Sequence, residues 1–409
     1  MGIRSSRGLP RGMIALALAV IVVIAVTPAA ARANTLKTVT IPDKAGYIPQ
    51  KWLDYYTGVP RANVLLPDGY TPHKRYPLLV LLSGLNGDYA SYAYAGDLTV
   101  FKGFPGIVVT PEGADGWYTD WWNNGERGSP AWESYELNEV LPYVLKHYSI
   151  LPGRRYHAIA GISMGGLGAT YLGGRLPGFF GSVASLSGFV DLHYYAPLVA
   201  GAMGLLASAA QKGDHDSDPV DGPSNGFYAN GHNPTDLTMN LRQSRVFVSS
   251  GTGDPSSAEL NAATFGNLMG YPANWAAEGA IIHPMSVLYH LALLDTGVNV
   301  TWEVQNGGHD DPHFRQELKA LLTWGLFNPV ATDPISWVND TVATDGQLWD
   351  ISYRFTKPPD AIVQFRRDGA MLSISAAGSA VTITTANNCR IQTTTPAVIT
   401  IPARKCARA

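Results

Sequence analysis

The stretch YHAIAGISMGGLGATYLGGR, residues 156–175, decides the fold. Tyr156 to Ala160 is a short apolar run ending at a glycine, the pattern of a strand covered on both faces. The small-residue stretch from Gly165 to Gly174 reads as a helix. Between them Gly161, Ser163 and Gly165 spell G-x-S-x-G. In a strand-to-helix context this pattern sets the serine on a strained turn with its Oγ projecting from the sheet. Glycines two residues either side keep the backbone and the helix from colliding. The helix N-terminus adds a field that favours developing negative charge. Ser163 is therefore the candidate nucleophile.

Working outward, the flanks repeat a β/α alternation. Arg61 to Leu66, Pro77 to Leu82 and Gly106 to Thr110 precede the turn as strands, with a helix spaced over Ser134 to Tyr148. Ser182 to Leu186, Arg245 to Ser249 and Val298 to Val304 follow as strands, with Leu167–Arg175 and Met285–Asp295 helical between them. Such alternation predicts an α/β body with a mostly parallel sheet flanked by helices, over residues 34–330. Insertions near 191–244 and 255–284 interrupt it as candidate lids or binding loops. After residue 330 the chain turns rich in Ile, Val, Thr and Ser with period-two stretches. Residues 331–409 are therefore expected to form a small all-β domain.

A nucleophilic serine needs a base, and the base an orienting acid. Asp254 follows the strand Arg245–Ser249 and sits where the acid belongs, with Glu259 one helical turn later as its competitor. His309 lies on the loop Gln305-Asn-Gly-Gly-His309-Asp310 beyond the last strand, free to reach the nucleophile; His313 is the weaker candidate. For the oxyanion, one N–H comes from Met164 and the other from the loop Ser83-Gly-Leu85-Asn-Gly87, with Leu85 as donor. Trp117, Trp121 and Trp122, after the strand Gly106–Thr110, offer a wall for an acyl chain or sugar ring, or pack a long loop. Asp214, Asp216, Asp218 and Asp221 resemble a calcium loop, but Pro219 and Asn225 break the EF-hand pattern. No zinc spacing and no P-loop occurs, so neither a metal nor a cofactor is expected.

Composition bounds the setting. The chain has 409 residues, a formal charge of −3 and a hydrophobic share of 46%, too apolar for disorder. Its charge and lack of basic tracts argue against nucleic acid as a partner. Arg4, Arg7 and Arg11, the apolar run Met13 to Val26 and the small residues Ala31 and Ala33 read as a signal peptide over residues 1–33. The run is too short to span a bilayer. The expectation is a secreted or cell-envelope protein with no transmembrane segment after cleavage near Ala33. Cys389 and Cys406, in an oxidising compartment, are expected to pair. Such a loop is worth about 3 kcal/mol.

Taken together, YPLLVLLSGLNGD (76–88), WYTDWW (117–122), ESYELNEVLP (133–142), GISMGG (161–166) and NGGHDD (306–311) resemble the esterase D and antigen 85 branch of the α/β-hydrolases, which includes secreted mycolyltransferases. The resemblance spans roughly residues 40–327. It implies an α/β-hydrolase fold and a serine carboxylesterase, or an acyltransferase moving a mycolyl-like group to a sugar or lipid hydroxyl. Antigen 85 proteins carry Asp-Gly-Leu-Arg where this chain has Ser83-Gly-Leu-Asn86. Their acid is a Glu in a helix, whereas Asp254 matches the esterase D position. The implied partners are an ester or acyl-lipid substrate, with contact to cell-envelope glycan or lipid left open. A surface-binding protein on an inactive hydrolase scaffold is the alternative from another class, and the complete Ser-Asp-His set argues against it.

Overall fold

A computed structural model describes residues 34–56, 58–122, 129–194, 220–223, 226–262 and 270–406. The expected signal peptide, residues 1–33, and Asp214, Asp216 and Asp218 lie outside the described residues. The body is built on an eight-stranded sheet, β1 (Thr35–Thr40), β2 (Arg61–Leu66), β3 (Leu78–Leu82), β4 (Ile107–Pro111), β5 (His157–Ile162), β6 (Ser182–Leu186), β7 (Arg245–Gly251) and β8 (Asn299–Gln305). Their spatial order is β1-β2-β4-β3-β5-β6-β7-β8. The pairings from β4 to β8 are parallel, and β1 and β2 are antiparallel additions at one side.

Burial of β3 on both faces explains its unbroken apolar run. Leu78, Val80 and Leu82 enter one core layer, and Leu79 and Leu81 the other. From β3 the chain first steps outward to β4 and then returns to place β5 on the opposite flank of β3. Strand order therefore reverses between β3 and β5, where an open parallel sheet leaves a crevice at its carboxyl edge. The register pairs Leu82 with Gly161 there, so the segments after β3 and β5 emerge side by side.

Helix α1 (Met164–Arg175) follows β5 and is buried along its length. Helix α2 (Tyr271–Asp295) crosses from β7 to β8, and α3 (Asp311–Trp324) follows β8. The expected insertion 255–284 resolves differently from its sequence reading. A short helix covers Ser257–Ala262, and the segment from Tyr271 is the first half of α2. A π-helical turn over Glu278–Ile282 carries the helix through Gly279 and on to Pro284. Pro284 has no N–H for the Ala280 carbonyl, and the Tyr194 hydroxyl donates to that carbonyl instead, at 3.2 Å. By length and composition α2 is apolar enough to cross a bilayer. It packs Met285, Tyr289 and Leu293 into the core.

The C-terminal region forms two antiparallel four-stranded sheets, β10-β11-β14-β15 and β16-β13-β12-β9. Their strands are β9 (Ser336–Thr341), β10 (Asp345–Leu348), β11 (Ile351–Phe355), β12 (Val363–Asp368), β13 (Met371–Ile374), β14 (Ala380–Thr385), β15 (Arg390–Thr394) and β16 (Ala397–Thr400). Their inward positions, among them Ile351, Tyr353, Phe365, Leu372 and Ile383, form one apolar core. The Cys389–Cys406 disulfide joins the start of β15 to the chain after β16, linking the two sheets. Buried Arg175 ties body to sandwich. It donates to Glu133 (2.5 Å), to the Tyr353 hydroxyl (3.2 Å) and to the Asp345 carbonyl (3.0 Å).

Candidate active site

Ser163 joins β5 to α1 with φ of 55° and ψ of −119°, left-handed backbone that a non-glycine residue adopts at a cost. The neighbouring glycines make the turn possible. A Cβ on Gly161 would stand 2.0 Å from the Gly165 carbonyl oxygen, and one on Gly165 would stand 2.2 Å from that of Leu82. The Ser163 N–H donates to the carbonyl of Leu186, the last residue of β6, at 3.1 Å, which fixes the turn to that strand.

His309 meets the serine as expected, its Nε2 lying 2.8 Å from Ser163 Oγ. Its Nδ1 lies 2.7 Å from Glu278 Oε2, at the start of the π turn of α2. This corrects the sequence assignment of the acid. Asp254 turns outward at Gly253 (φ 81°), is exposed, and makes its contacts with Thr252. The His309 N–H donates to the Asn274 carbonyl at 3.0 Å, so the histidine loop leans on α2 rather than on the tip of β7. The other Glu278 oxygen accepts from the Gly251 N–H and the Ser187 hydroxyl, both at 2.8 Å. Glu278 is fully buried, and these donors with His309 satisfy its carboxylate.

Glu259, the alternative acid, supports the same loop without touching His309. It accepts from the Gly308 N–H at 2.6 Å, the Trp275 indole at 3.0 Å and the Ser256 N–H at 2.5 Å. Beside it Asp310 caps α3 through the His313 N–H. Burial, then the Glu259 charge, pushes the Asp310 carboxyl up to about 7. His313 is buried behind the site, 3.7 Å from Glu317, and does not approach the serine. Glu317 accepts from the Ser187 N–H and the Ser249 hydroxyl, and burial together with the nearby Glu278 charge holds its carboxyl well above the usual range.

A cleft of about 530 Å³ opens at the serine, lined by Leu85, Trp117, Phe189, Ile281, Ile282 and Phe314 among others. Leu85 belongs to the loop after β3, and a Cβ on its neighbour Gly84 would come within 3.3 Å of Ser163 Cβ. The Tyr118 hydroxyl grips this loop at Ser83 Oγ (3.1 Å) and at the Ser83 carbonyl (3.2 Å). Met164 occupies the first position of α1, where an N–H has no partner within the helix. Of the three tryptophans, Trp117 alone lines the cleft. Positive φ at Trp117 and Tyr118 reverses the chain and leaves Trp117 facing Phe189, ring centroids 5.4 Å apart. Trp121 instead packs edge-on against Trp52 and donates to the Gly116 carbonyl, and half-exposed Trp122 packs on Phe227 and Tyr228.

The functional group missed in the sequence is Glu278. Its signal was present: it is the one carboxylate within the apolar run Tyr271 to Leu294, and an acid so placed is buried only with partners.

Comparisons with known proteins place the chain in a family and a fold. The model of the Esterase family matches residues 58–324. Esterase Rv1288 of Mycobacterium tuberculosis is 30% identical over 205 residues, which cover 48% of this chain and 44% of that protein. The alignment thus spans less than half the length of that relative. Among solved structures, Mycobacterium tuberculosis MPT51 (FbpC1) superposes with a TM-score of 0.54 at 21% identity, over 71% of this chain and 98% of that one. The Staphylococcus aureus fluorophosphonate-binding serine hydrolase FphF gives 0.51 at 17% identity, over 72% and 99%. At these identities the likeness establishes the shared α/β-hydrolase fold.

Proposed function

The chain belongs to the Esterase family, and on that premise we propose that it is a secreted serine carboxylesterase working through an acyl-enzyme on Ser163. One observation carries the reading: Ser163, His309 and Glu278 form an unbroken relay with contacts of 2.8 and 2.7 Å. Glu278 accepts the His309 Nδ1–H and so keeps Nε2 free to receive a proton. Ser163 Oγ attacks the ester carbonyl as its proton passes to His309 Nε2. The carbonyl oxygen becomes an oxyanion held by the Leu85 and Met164 N–H groups. Collapse expels the alcohol, which takes the proton from His309, and leaves the acyl group on Ser163. Water, deprotonated by His309, then attacks the acyl-enzyme and releases the acid.

The cleft lining supports an apolar or aromatic acyl group. Leu85, Trp117, Phe189, Ile281 and Phe314 surround the space beside the serine and give a hydrocarbon a dry wall. A second reading, transfer of the acyl group to a sugar or lipid hydroxyl, draws on the placement of the acid. Glu278 sits on a helix, as in the antigen 85 proteins that the sequence resembles. The two readings share every step up to the acyl-enzyme and differ in what attacks it.

The experiment is mass spectrometry of the secreted chain after a brief pulse with mixed p-nitrophenyl esters, with and without trehalose. Acylation at Ser163 that decays at the same rate in both supports hydrolysis. Decay that speeds up with trehalose and yields acyl-trehalose supports transfer. Full esterase activity in Ser163→Ala sinks both.

A further inference from the structure

A groove of about 1100 Å³ runs between the α/β body and the sandwich, about twice the volume of the cleft at Ser163. It reaches Arg175, the last residue of α1, whereas Ser163 precedes the first. At 1.5 Å per residue, that helix sets Arg175 about 18 Å from Ser163, and neither Ser163 nor His309 is among the residues lining the groove.

The two walls of the groove differ in chemistry. The body supplies apolar surface from Leu137, Leu141, Pro142, Leu145 and Leu176. The facing wall is the outer surface of the sheet β10-β11-β14-β15. Alternation sends Ile351, Tyr353, Val381 and Ile383 into the sandwich core and turns Ser352, Arg354, Thr382 and Thr384 outward. The register then aligns Gln347, Ser352, Thr384 and Arg390 in a single row, one from each strand. Strands lie about 4.8 Å apart, so this row offers a hydrogen-bonding side chain roughly every 5 Å along about 14 Å. Among the described residues none of these four side chains has a hydrogen-bond partner.

The charge of the wall narrows its ligand. Arg354, in the next row, pairs with Asp345 at 3.0 Å, which leaves Arg390 as the unpaired cation of the sheet wall among the described residues. One such cation is too few to hold a phosphate polymer. Across the face of the wall the central strands β11 and β14 are paired on both sides, so an extended peptide laid over them finds no ladder to join. The Arg175 contacts to Tyr353 and Asp345 fix the floor, so the groove is preformed.

We propose that this groove binds a polysaccharide chain and anchors the body to it. Sugar rings match both walls at once. Their C–H faces pack on the Leu137, Leu141 and Leu145 side, and their hydroxyls, spaced along the polymer, bond to the row from Gln347 to Arg390. Ser163 and His309 line the other cleft, which makes this a holding site rather than a place for the scissile ester. The inference stands independently of the esterase reading.

Affinity electrophoresis tests it, with arabinogalactan, arabinoxylan, dextran and hyaluronate each cast into native gels. At least one of them is expected to retard the wild-type chain and Ser163→Ala equally. The double variant Thr384→Ala with Arg390→Ala should weaken that retardation about 10-fold in Kd, the loss of one to two net hydrogen bonds. Should the double variant fold poorly by circular dichroism, Gln347→Ala with Ser352→Ala reads the same row from its other end. The proposal is overturned if none of the four polymers retards the chain, or if a correctly folded row variant keeps wild-type affinity. It is equally overturned if acylating Ser163 abolishes the retardation, since binding would then lie in the cleft. Failure of the groove in any of these ways, with ester cleavage intact, would leave the esterase reading untouched.

Discussion

The Glu278 carboxylate lies 2.7 Å from His309 Nδ1, although Glu278 sits within the crossover helix α2 and not at the end of a strand. The β7 tip, where the sequence suggests the acid, supplies the Gly251 N–H that steadies Glu278. A carboxylate buried this completely orients the imidazole without competition from water.

From that relationship, Glu278→Gln is expected to lower kcat on p-nitrophenyl butyrate by about 10³–10⁴-fold, because an amide fixes the wrong tautomer of His309. Asp254→Asn should keep kcat within about 2-fold, since an exposed surface substitution of this kind changes little. Steady-state rates of both purified variants decide the matter. The reverse ranking would return the acid to Asp254.

Glu259→Gln tests support for the histidine loop rather than the chemistry itself. The amide keeps one acceptor oxygen, so the variant forfeits either the bond from Ser256 N–H at Oε2 or the bonds from Gly308 N–H and the Trp275 indole that share Oε1, charge-assisted bonds worth about 1.5–3 kcal/mol of stability each. A lower melting temperature is expected, with kcat falling about 10-fold and KM little changed, because a drift of His309 by about 1 Å misplaces the proton acceptor. Wild-type thermal stability in the variant would show that the loop does not depend on Glu259.

How much of this was legible in the sequence follows from how local each signal is. Ser163 and the paired strands β3 and β5 were readable because a strand, a G-x-S-x-G turn and a helix are contiguous. His309 was readable because glycines and a strand end flank it. Glu278 was hidden because it falls within the insertion read over 255–284, where a π turn in fact continues α2. Trp121 and Trp122 shared the composition of Trp117, but the chain reversal at Trp117 and Tyr118, which decides where each ring points, depends on packing. The groove beside Arg175 arises between segments distant in sequence and left no local trace.

Glu112 gives a pH signature. It is fully buried at the end of β4, and burial, then the Asp88 charge, pushes its carboxyl up to about 8. An unfolded Glu titrates near about 4.3. Between those values the folded chain holds a proton that the unfolded chain has released. The stability tied to this group is therefore fully present below about pH 4 and is lost as pH rises through about 8. Glu112→Gln should flatten the fall in unfolding free energy between about pH 5 and about pH 8 by up to ~1.4 kcal/mol per pH unit. Urea titrations across that range measure the slope, and an unchanged slope would mean that Glu112 is ionised in the folded chain.

The Glu133–Arg175 pair makes the opposite prediction in acid. Burial pushes the Glu133 carboxyl up, but Arg175 and His232 more than offset it and bring it down to about 2. Its contribution is present above the unfolded value near about 4.3 and is lost as pH falls toward about 2. Arg175→Met removes the charge that holds Glu133 and also severs the links to Tyr353 and Asp345 on the sandwich. A loss of about 3–5 kcal/mol is expected, because a buried carboxylate is left without its partner. Adding Glu133→Gln to Arg175→Met should recover part of that loss, since the uncompensated charge disappears while the severed sandwich contacts remain. Urea unfolding of the two single variants and the double variant reads the coupling directly. Strictly additive losses would place the whole cost in the links to the sandwich and none in the ion pair.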